Sequence, residues 1–206
     1  MKIVMDIDNV ICGFGEFFVE YLNLRYKRSY SFSDFTVWDF VWSDNVDLTI
    51  DQFYKAFDEF QQVGMWNSLK IYEEAKDVIN ELYKNHDVSY LTSRPIGAMK
   101  ATSDYFSHNK LPFTYCKELK SEEEEIQPGT IAFCPGLNKG KIGSFNQIDI
   151  AVEDQPKTIQ CYIDCRVKVA RRLQPYNENL EFKDPDDFML SCSNLNQFKD
   201  FVNKKG

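Results

Sequence analysis

Asp6 and Asp8 stand one residue apart in the string Asp6-Ile7-Asp8-Asn9-Val10-Ile11, directly after an apolar run. Where a strand ends and the chain turns, two such acids can face one site. They can bind a hard cation such as Mg2+ through oxygen. They can also divide a reaction, one attacking phosphorus while the other handles a proton. Asp-x-Asp alone is equally at home in a plain turn. Thr92 and Ser93 close a second apolar run and offer hydroxyls and amides to a phosphate, or an N-cap to the next helix. Lys139 is a lone lysine near the start of a predicted helix, and on its own it reads as a surface charge. Glu153 and Asp154 end a third apolar run, where adjacent acids are costly to bury unless they meet a cation or paired partners.

The elements that must hold these residues follow from periodicity. Residues 2–6 predict a buried strand opening onto a loop, and 87–92 and 148–152 repeat the pattern. Weaker strands are expected at 113–116, 130–133 and 166–170. Residues 72–85 carry Ala75, Val78, Ile79 and Leu82 at helical spacing. Helices are also expected at 96–108, at 139–146, at 156–164 from Pro156, and at the terminus over 190–206. The alternation predicts a three-layer, Rossmann-like α/β fold with a parallel sheet, in which ligands bind at the carboxyl ends of strands. The acids, Thr92 and Ser93 all sit at such ends.

Residues 12–70 break the alternation. They show helical patterns at 14–26 and 51–62, an ambiguous stretch around Trp38–Trp42, and no convincing strand. They also hold 16 of the 31 aromatic residues and all three Trp, so a helical cap over the strand ends is expected here. The boundaries are then 1–11 and 71–206 for the core and 12–70 for the cap. The run Ser121–Glu125 reads as a solvated acidic loop.

The chain has 206 residues and a net charge of −8. That length suits a single domain with an insertion. The aromatic content excludes global disorder, and the acidic balance argues against a general nucleic-acid binder. The first residues lack the apolar core of a secretory signal, and no run reaches the ~18 apolar residues of a membrane span. A cytoplasmic location with six reduced cysteines is expected. Cys161 and Cys165 could share a helix face, but His86 and His108 have no metal-binding spacing to join them in a zinc site. A homodimer is neither required nor excluded.

Taken in order, Asp-x-Asp, Thr, Lys and an acidic pair resemble the four motifs of the haloacid dehalogenase-like phosphatase superfamily. Residues 2–11, 87–93, Lys139 and 148–154 match them in turn, over nearly the whole chain, and 12–70 resembles that superfamily's first class of helical cap. Met65-Trp66-Asn67-Ser68-Leu69, Val88 through Pro95, the spacing from Lys139 to Asp154, and Pro175-Tyr176-Asn177 are similar to the 5′(3′)-deoxyribonucleotidase branch. Two positions depart from the pattern. Asn9 stands where Gly is usual, and it tolerates left-handed backbone well enough for the turn to survive. Glu153 replaces an Asp, and its longer arm would alter metal geometry.

The resemblance implies a Mg2+-dependent phosphomonoester hydrolase for nucleoside monophosphates, with deoxyribonucleotides preferred. Asp6 would be the nucleophile and Asp8 the acid and base. Asp6, Asp8 through its carbonyl, Asp154 and Glu153 would surround the metal, and Thr92, Ser93 and Lys139 would hold the phosphate. Phe14, Trp38 and Trp66 are the expected base-stacking residues, although cap aromatics also serve as packing core. Arg94 follows the phosphate-side loop and is expected at the substrate phosphate, at the cap or on the surface. The alternatives are a sugar phosphate, an amino-acid phosphate or a nucleic-acid end as substrate, or a catalytically lapsed binding module.

Overall fold

The computed structural model describes residues 1–62 and 64–204. The chain runs β1 (Lys2–Met5), α1 (Phe14–Tyr26), α2 (Ile50–Gln62), α3 (Ala75–Asn85), β2 (Asp87–Thr92), α4 (Met99–His108), β3 (Tyr115–Glu118) and β4 (Thr130–Phe133). It continues through α5 (Lys139–Phe145), β5 (Ile150–Glu153), α6 (Pro156–Asp164), β6 (Lys168–Arg172), β7 (Met189–Cys192) and α7 (Leu195–Asn203). The strands form one sheet in the order β3-β4-β2-β1-β5-β6-β7, and every neighbouring pair is parallel.

Alternation along the strands makes this a three-layer α/β fold. Ile3 and Met5 of β1 point into one core with α3, α4 and α7. Val4 points the other way, into a smaller core with Ile142 of α5. Ala151 of β5 and Val169 of β6 meet Ile159, Tyr162 and Ile163 of α6 on that same face. Central strands must be apolar on both faces, which is why β4 and β5 are buried throughout.

The strand order also positions the site. From β1 the chain moves outward to β2 and on to the edge strand β3, steps back in to β4, then crosses over to place β5 on the other side of β1. The crevice between β1 and β5 is therefore the topological switch point, where open α/β sheets bind ligands. Residues between β1 and α3 contribute α1, α2 and three short 3-10 turns, at Phe32–Asp34, Phe40–Trp42 and Met65–Ser68. The outgoing and returning segments of this insertion pair with each other. The amide of Gly13 donates to Lys70 O at 3.0 Å and that of Tyr72 to Ile11 O at 3.0 Å. The insertion's aromatics are mostly its own core. Phe60 packs edge-on against Phe14, Phe17, Phe18, Tyr21 and Trp66.

Strand starts differ from the sequence reading for one reason. β5 begins at Ile150 rather than 148 and β6 at Lys168 rather than 166, because the preceding helices use the amides of Ile148, Arg166 and Val167. Ile148 N donates to Gly143 O and Val167 N to Tyr162 O, both at 2.9 Å. Gln147 (φ 56°) and Arg166 (φ 58°) take the left-handed backbone that such helix ends require. α4 ends in the same way at Lys110 (φ 57°), and β3 starts at Tyr115, two residues later than expected. The expected helix over 190–206 is corrected: Met189–Cys192 is an edge strand, and α7 starts at Leu195 behind Asn194, whose side chain accepts from Gln197 N. Residues 205–206 of that expectation lie outside the described residues. The ambiguous 38–42 stretch ends in a 3-10 turn.

Candidate active site

The β1–β5 register brings the first acids together. Met5 pairs with Val152 and the Asp6 amide donates to Val152 O at 3.0 Å, so Asp6 lies beside Glu153. Beyond Asp6 the chain folds over the Ile7 carbonyl, which accepts from the amides of Ile11 and Cys12 at 2.8 and 3.2 Å. Asn9 sits in the left-handed region at φ 57°, so the turn forms without glycine. Its side chain adds contacts that glycine lacks. Oδ1 accepts from the amide of Gly15, at the start of α1, at 2.6 Å, and Nδ2 donates to Tyr176 Oη at 2.9 Å and Asp154 Oδ2 at 3.2 Å.

Lys139 is not a surface charge. It opens α5 with a side chain 2% exposed, and Nζ donates to Asp6 Oδ1 at 2.5 Å and Glu153 Oε2 at 2.8 Å. The other Glu153 oxygen accepts from the amides of Asp154 and Gln155, each at 3.0 Å. The Glu153 carboxylate thus meets the lysine with one oxygen and caps the turn after β5 with the other. Asp154 is held through Oδ2 by Tyr176 Oη and Asn9 Nδ2, and its carbonyl accepts from Asn177 Nδ2 at 2.7 Å.

One oxygen from each of Asp6, Glu153 and Asp154 lies within 4.8 Å of the others, and all three residues are buried. When ionised, these three carboxylates and the single Lys139 ammonium leave two uncompensated negative charges in a desolvated space. Burial, reinforced by Glu153, pushes Asp6 up to about 8 despite Lys139. Burial and the neighbouring acids also raise Asp154. Burial opposes the Lys139 charge, but Asp6 and Glu153 outweigh it and hold the ammonium protonated. An all-oxygen donor set with a surplus of two negative charges fits a hard divalent cation such as Mg2+.

Asp8 points to another partner. Arg94 Nε donates to Asp8 Oδ2 at 2.9 Å and Nη2 to Oδ1 at 2.7 Å. A cavity of about 140 Å³ joins the two carboxylate groups. Asp6, Asp8, Ser93, Arg94, Lys139, Glu153 and Asp154 line its polar side, and Phe14, Trp38, Phe57 and Trp66 its aromatic side. Phe14 and Trp66 are stacked with centroids 5.7 Å apart, and Trp38 packs edge-on against Tyr176.

The structure therefore gathers Asp6, Asp8, Ser93, Lys139, Glu153, Asp154, Phe14, Trp38, Trp66 and Arg94 around one cavity. Thr92 is fully buried beside it, with Oγ1 accepting from the Arg94 amide at 3.2 Å. Sequence reasoning gave no site role to Tyr176, Asn177 or Gln174, whose Nε2 donates to Asn9 O at 2.8 Å. The available signal was their place just past the carboxyl end of β6, at the same edge of the sheet as the acids.

No family model matches the chain. A curated protein of Halalkalibacterium halodurans named "Putative nucleotidase BH1399" is 24% identical over 123 residues. That match spans 60% of this chain and 60% of the relative's length. Solved structures match almost end to end. A "putative phosphatase" of Clostridium difficile superimposes with a TM-score of 0.61 at 14% identity, covering 98% of this chain and 97% of the other. A haloacid dehalogenase-like family hydrolase of Streptococcus pneumoniae gives 0.60 at 12%, covering 97% of each. CbbY of Rhodobacter sphaeroides, solved with phosphate, gives 0.55 at 12%, covering 94% of each. The chain has the haloacid dehalogenase-like fold. Among the described residues, no helix is long and apolar enough to cross a membrane.

Proposed function

We propose that this chain is a Mg2+-dependent phosphomonoester hydrolase acting on nucleoside monophosphates, with deoxyribonucleotides preferred, and that 12–70 acts as its cap. The observation that carries the chemistry is the contact of Lys139 Nζ with Asp6 Oδ1 and Glu153 Oε2 at the mouth of the β1–β5 crevice. A buried acid at a switch point, faced by a buried cation and open to a cavity, suits attack on an anionic phosphorus centre.

In this reading an Asp6 oxygen attacks phosphorus. The bond to the leaving alkoxide breaks as Asp8 delivers a proton to it, and an aspartyl-phosphate remains. Asp8 then takes a proton from water, the water oxygen attacks phosphorus, and the Asp6–phosphorus bond breaks to release inorganic phosphate. Lys139, Ser93 and Thr92 hold the phosphoryl oxygens. Asp6, Asp154 and the Asp8 carbonyl would hold Mg2+, with Glu153 alongside. The ion supplies charge neutralisation between an anionic nucleophile and an anionic substrate.

The nucleotide assignment draws on the aromatic wall and the named nucleotidase relative. The cavity volume favours a second reading. About 140 Å³ is below the ~300–1,000 Å³ of sites that enclose a drug-sized ligand. A phosphoryl group with a small substituent fits within it, and a whole nucleotide exceeds it. A phosphate-release screen decides between them. Nucleoside monophosphates turned over faster than small phosphomonoesters, with loss in EDTA and recovery in Mg2+, would support the first reading. Preference for two- or three-carbon esters would support the second. No release from any ester would sink both.

A further inference from the structure

Arg94 has no free face to offer a substrate. Its side chain is 0% exposed, although it stands at the cavity wall. Nε and Nη2 form a parallel fork on the two Asp8 oxygens, and Nη1 donates to Thr102 Oγ1 at 3.1 Å. Thr102 in turn donates to Ala98 O at 2.9 Å. Nη2 also lies 3.5 Å from Cys12 Sγ. The guanidinium carbon sits 4.7 Å from the centre of the Trp66 ring and 5.9 Å from that of Tyr105.

These partners come from different parts of the chain. Asp8 and Cys12 belong to the loop after β1, Thr102 and Tyr105 to α4, and Trp66 to the last turn of the insertion. Arg94 itself follows β2. One planar cation therefore ties the acid-base loop to the phosphate-side loop, to α4 and to the insertion. Asp8 is 20% exposed, so without this fork its carboxylate could rotate toward solvent. A bidentate fork fixes both position and plane, which the point charge of lysine does not.

We propose that Arg94 is a positioning residue that sets the orientation of the Asp8 carboxylate for proton transfer, with the Trp66 ring holding the guanidinium in place. The proposal rests on the acid-base role given to Asp8 above. Misplacing a reacting group by about 1 Å can cost on the order of 100-fold in rate. The loss belongs in kcat with KM unchanged, since an interaction with substrate is not what is removed. The proton-delivery step should also depend on the leaving group, because an alkoxide needs a proton to depart and an activated aryl oxide does not, whereas the removal of a proton from water is common to both esters.

The test compares Arg94→Lys and Arg94→Ala with the wild type on a nucleoside monophosphate and on p-nitrophenyl phosphate. Expected is a kcat loss of on the order of 100-fold on the alkyl ester, a much smaller loss in the first-turnover burst of p-nitrophenol from the aryl ester, and partial recovery of Arg94→Ala by methylguanidine. A raised KM with intact kcat would make Arg94 a substrate-binding residue and overturn the proposal. Equal losses in first-turnover release of the leaving group from both esters, without rescue, would reduce it to a folding role. If Arg94→Ala does not fold, Arg94→Lys carries the same comparison. Independently of activity, the Arg94 Nε–H resonance should exchange slowly in the wild type and rapidly in Asp8→Ala; fast exchange in both would show that the fork is absent. A wild type inactive on every ester fails the functional reading itself. An active wild type with unchanged variants fails only the positioning role.

Discussion

Lys139 Nζ lies 2.5 Å from Asp6 Oδ1, across 133 residues of sequence, with both side chains almost wholly withdrawn from solvent. The contact joins the first turn of α5 to the end of β1 and partly balances the acids at the centre of the site. Breaking a buried pair from one side leaves the other charge stranded, which costs about 3–5 kcal/mol. Lys139→Met should therefore lower denaturation stability by about that amount and abolish turnover. Asp6→Asn should abolish turnover at a smaller cost in stability, because Lys139 keeps Glu153 as its partner and the site loses one of its surplus acids. Chemical denaturation of both variants checks the contrast, and equal stability of Lys139→Met and wild type would count against the buried pair.

The raised Asp6 carboxyl makes a pH prediction. Its folded value is about 8 in the absence of metal, against about 3.9 in an unfolded chain. The native state then holds the extra proton between these values. The stability it contributes is complete below about pH 4 and is lost as pH rises through about 8. Bound Mg2+ favours the ionised form instead. The metal-free Tm should fall between about pH 4 and 8 and level off above that, and the Tm gained on adding Mg2+ should grow over the same range. A gain independent of pH would remove Asp6 from the metal's ligands.

Tyr176 touches Asp154 through its hydroxyl and the insertion through its ring, which packs against Phe32, Trp38 and Phe40. Tyr176→Phe keeps the ring and deletes the hydroxyl. The groups that orient a metal ligand commonly matter by about 10–100-fold in metal affinity. The variant should need about that much more Mg2+ for half-maximal activity, with kcat at saturating Mg2+ close to wild type. A Mg2+ titration of activity reads this directly.

Gly140 follows Lys139 in the first turn of α5, and a Cβ there would stand 2.3 Å from the Cys161 carbonyl oxygen. That oxygen is backbone and cannot swing away. Gly140→Ala must push α5 off α6, at about 1–3 kcal/mol for an overpacked contact, and should carry Lys139 away from Asp6. Gly97→Ala, which meets nothing within 4 Å, is the control. Thermal melts of the two should separate clearly.

Much of the frame was legible locally. The apolar runs ending in Asp6, Thr92 and Glu153 marked three strands, because a strand buried on both faces leaves that trace whatever surrounds it. Edge strand β7 left no such trace: two half-buried residues, an exposed Ser191 and a buried Cys192 just ahead of a helix read as part of the helix. Strand starts were missed where helix-end hydrogen bonding at Gln147 and Arg166 used the amides first. Asn9 was readable as a residue that could turn left-handed, but its second contact set, on Asp154 and Tyr176, joins groups 145 and 167 positions away.

The sequence by itself determined the alternating α/β layout, the aromatic insertion, and which acids stand at strand ends, because those follow from periodicity within a few residues. Only the tertiary structure decided how the polar groups are shared. It put Lys139 on Asp6 and Glu153, turned Arg94 from a phosphate, cap or surface residue into the partner of Asp8, and gave Asp154 to Tyr176 and Asn9. Buried charges take whichever partners the sheet order brings within about 3 Å, and that order depends on the crossover from β4 to β5, which no local stretch of the chain encodes.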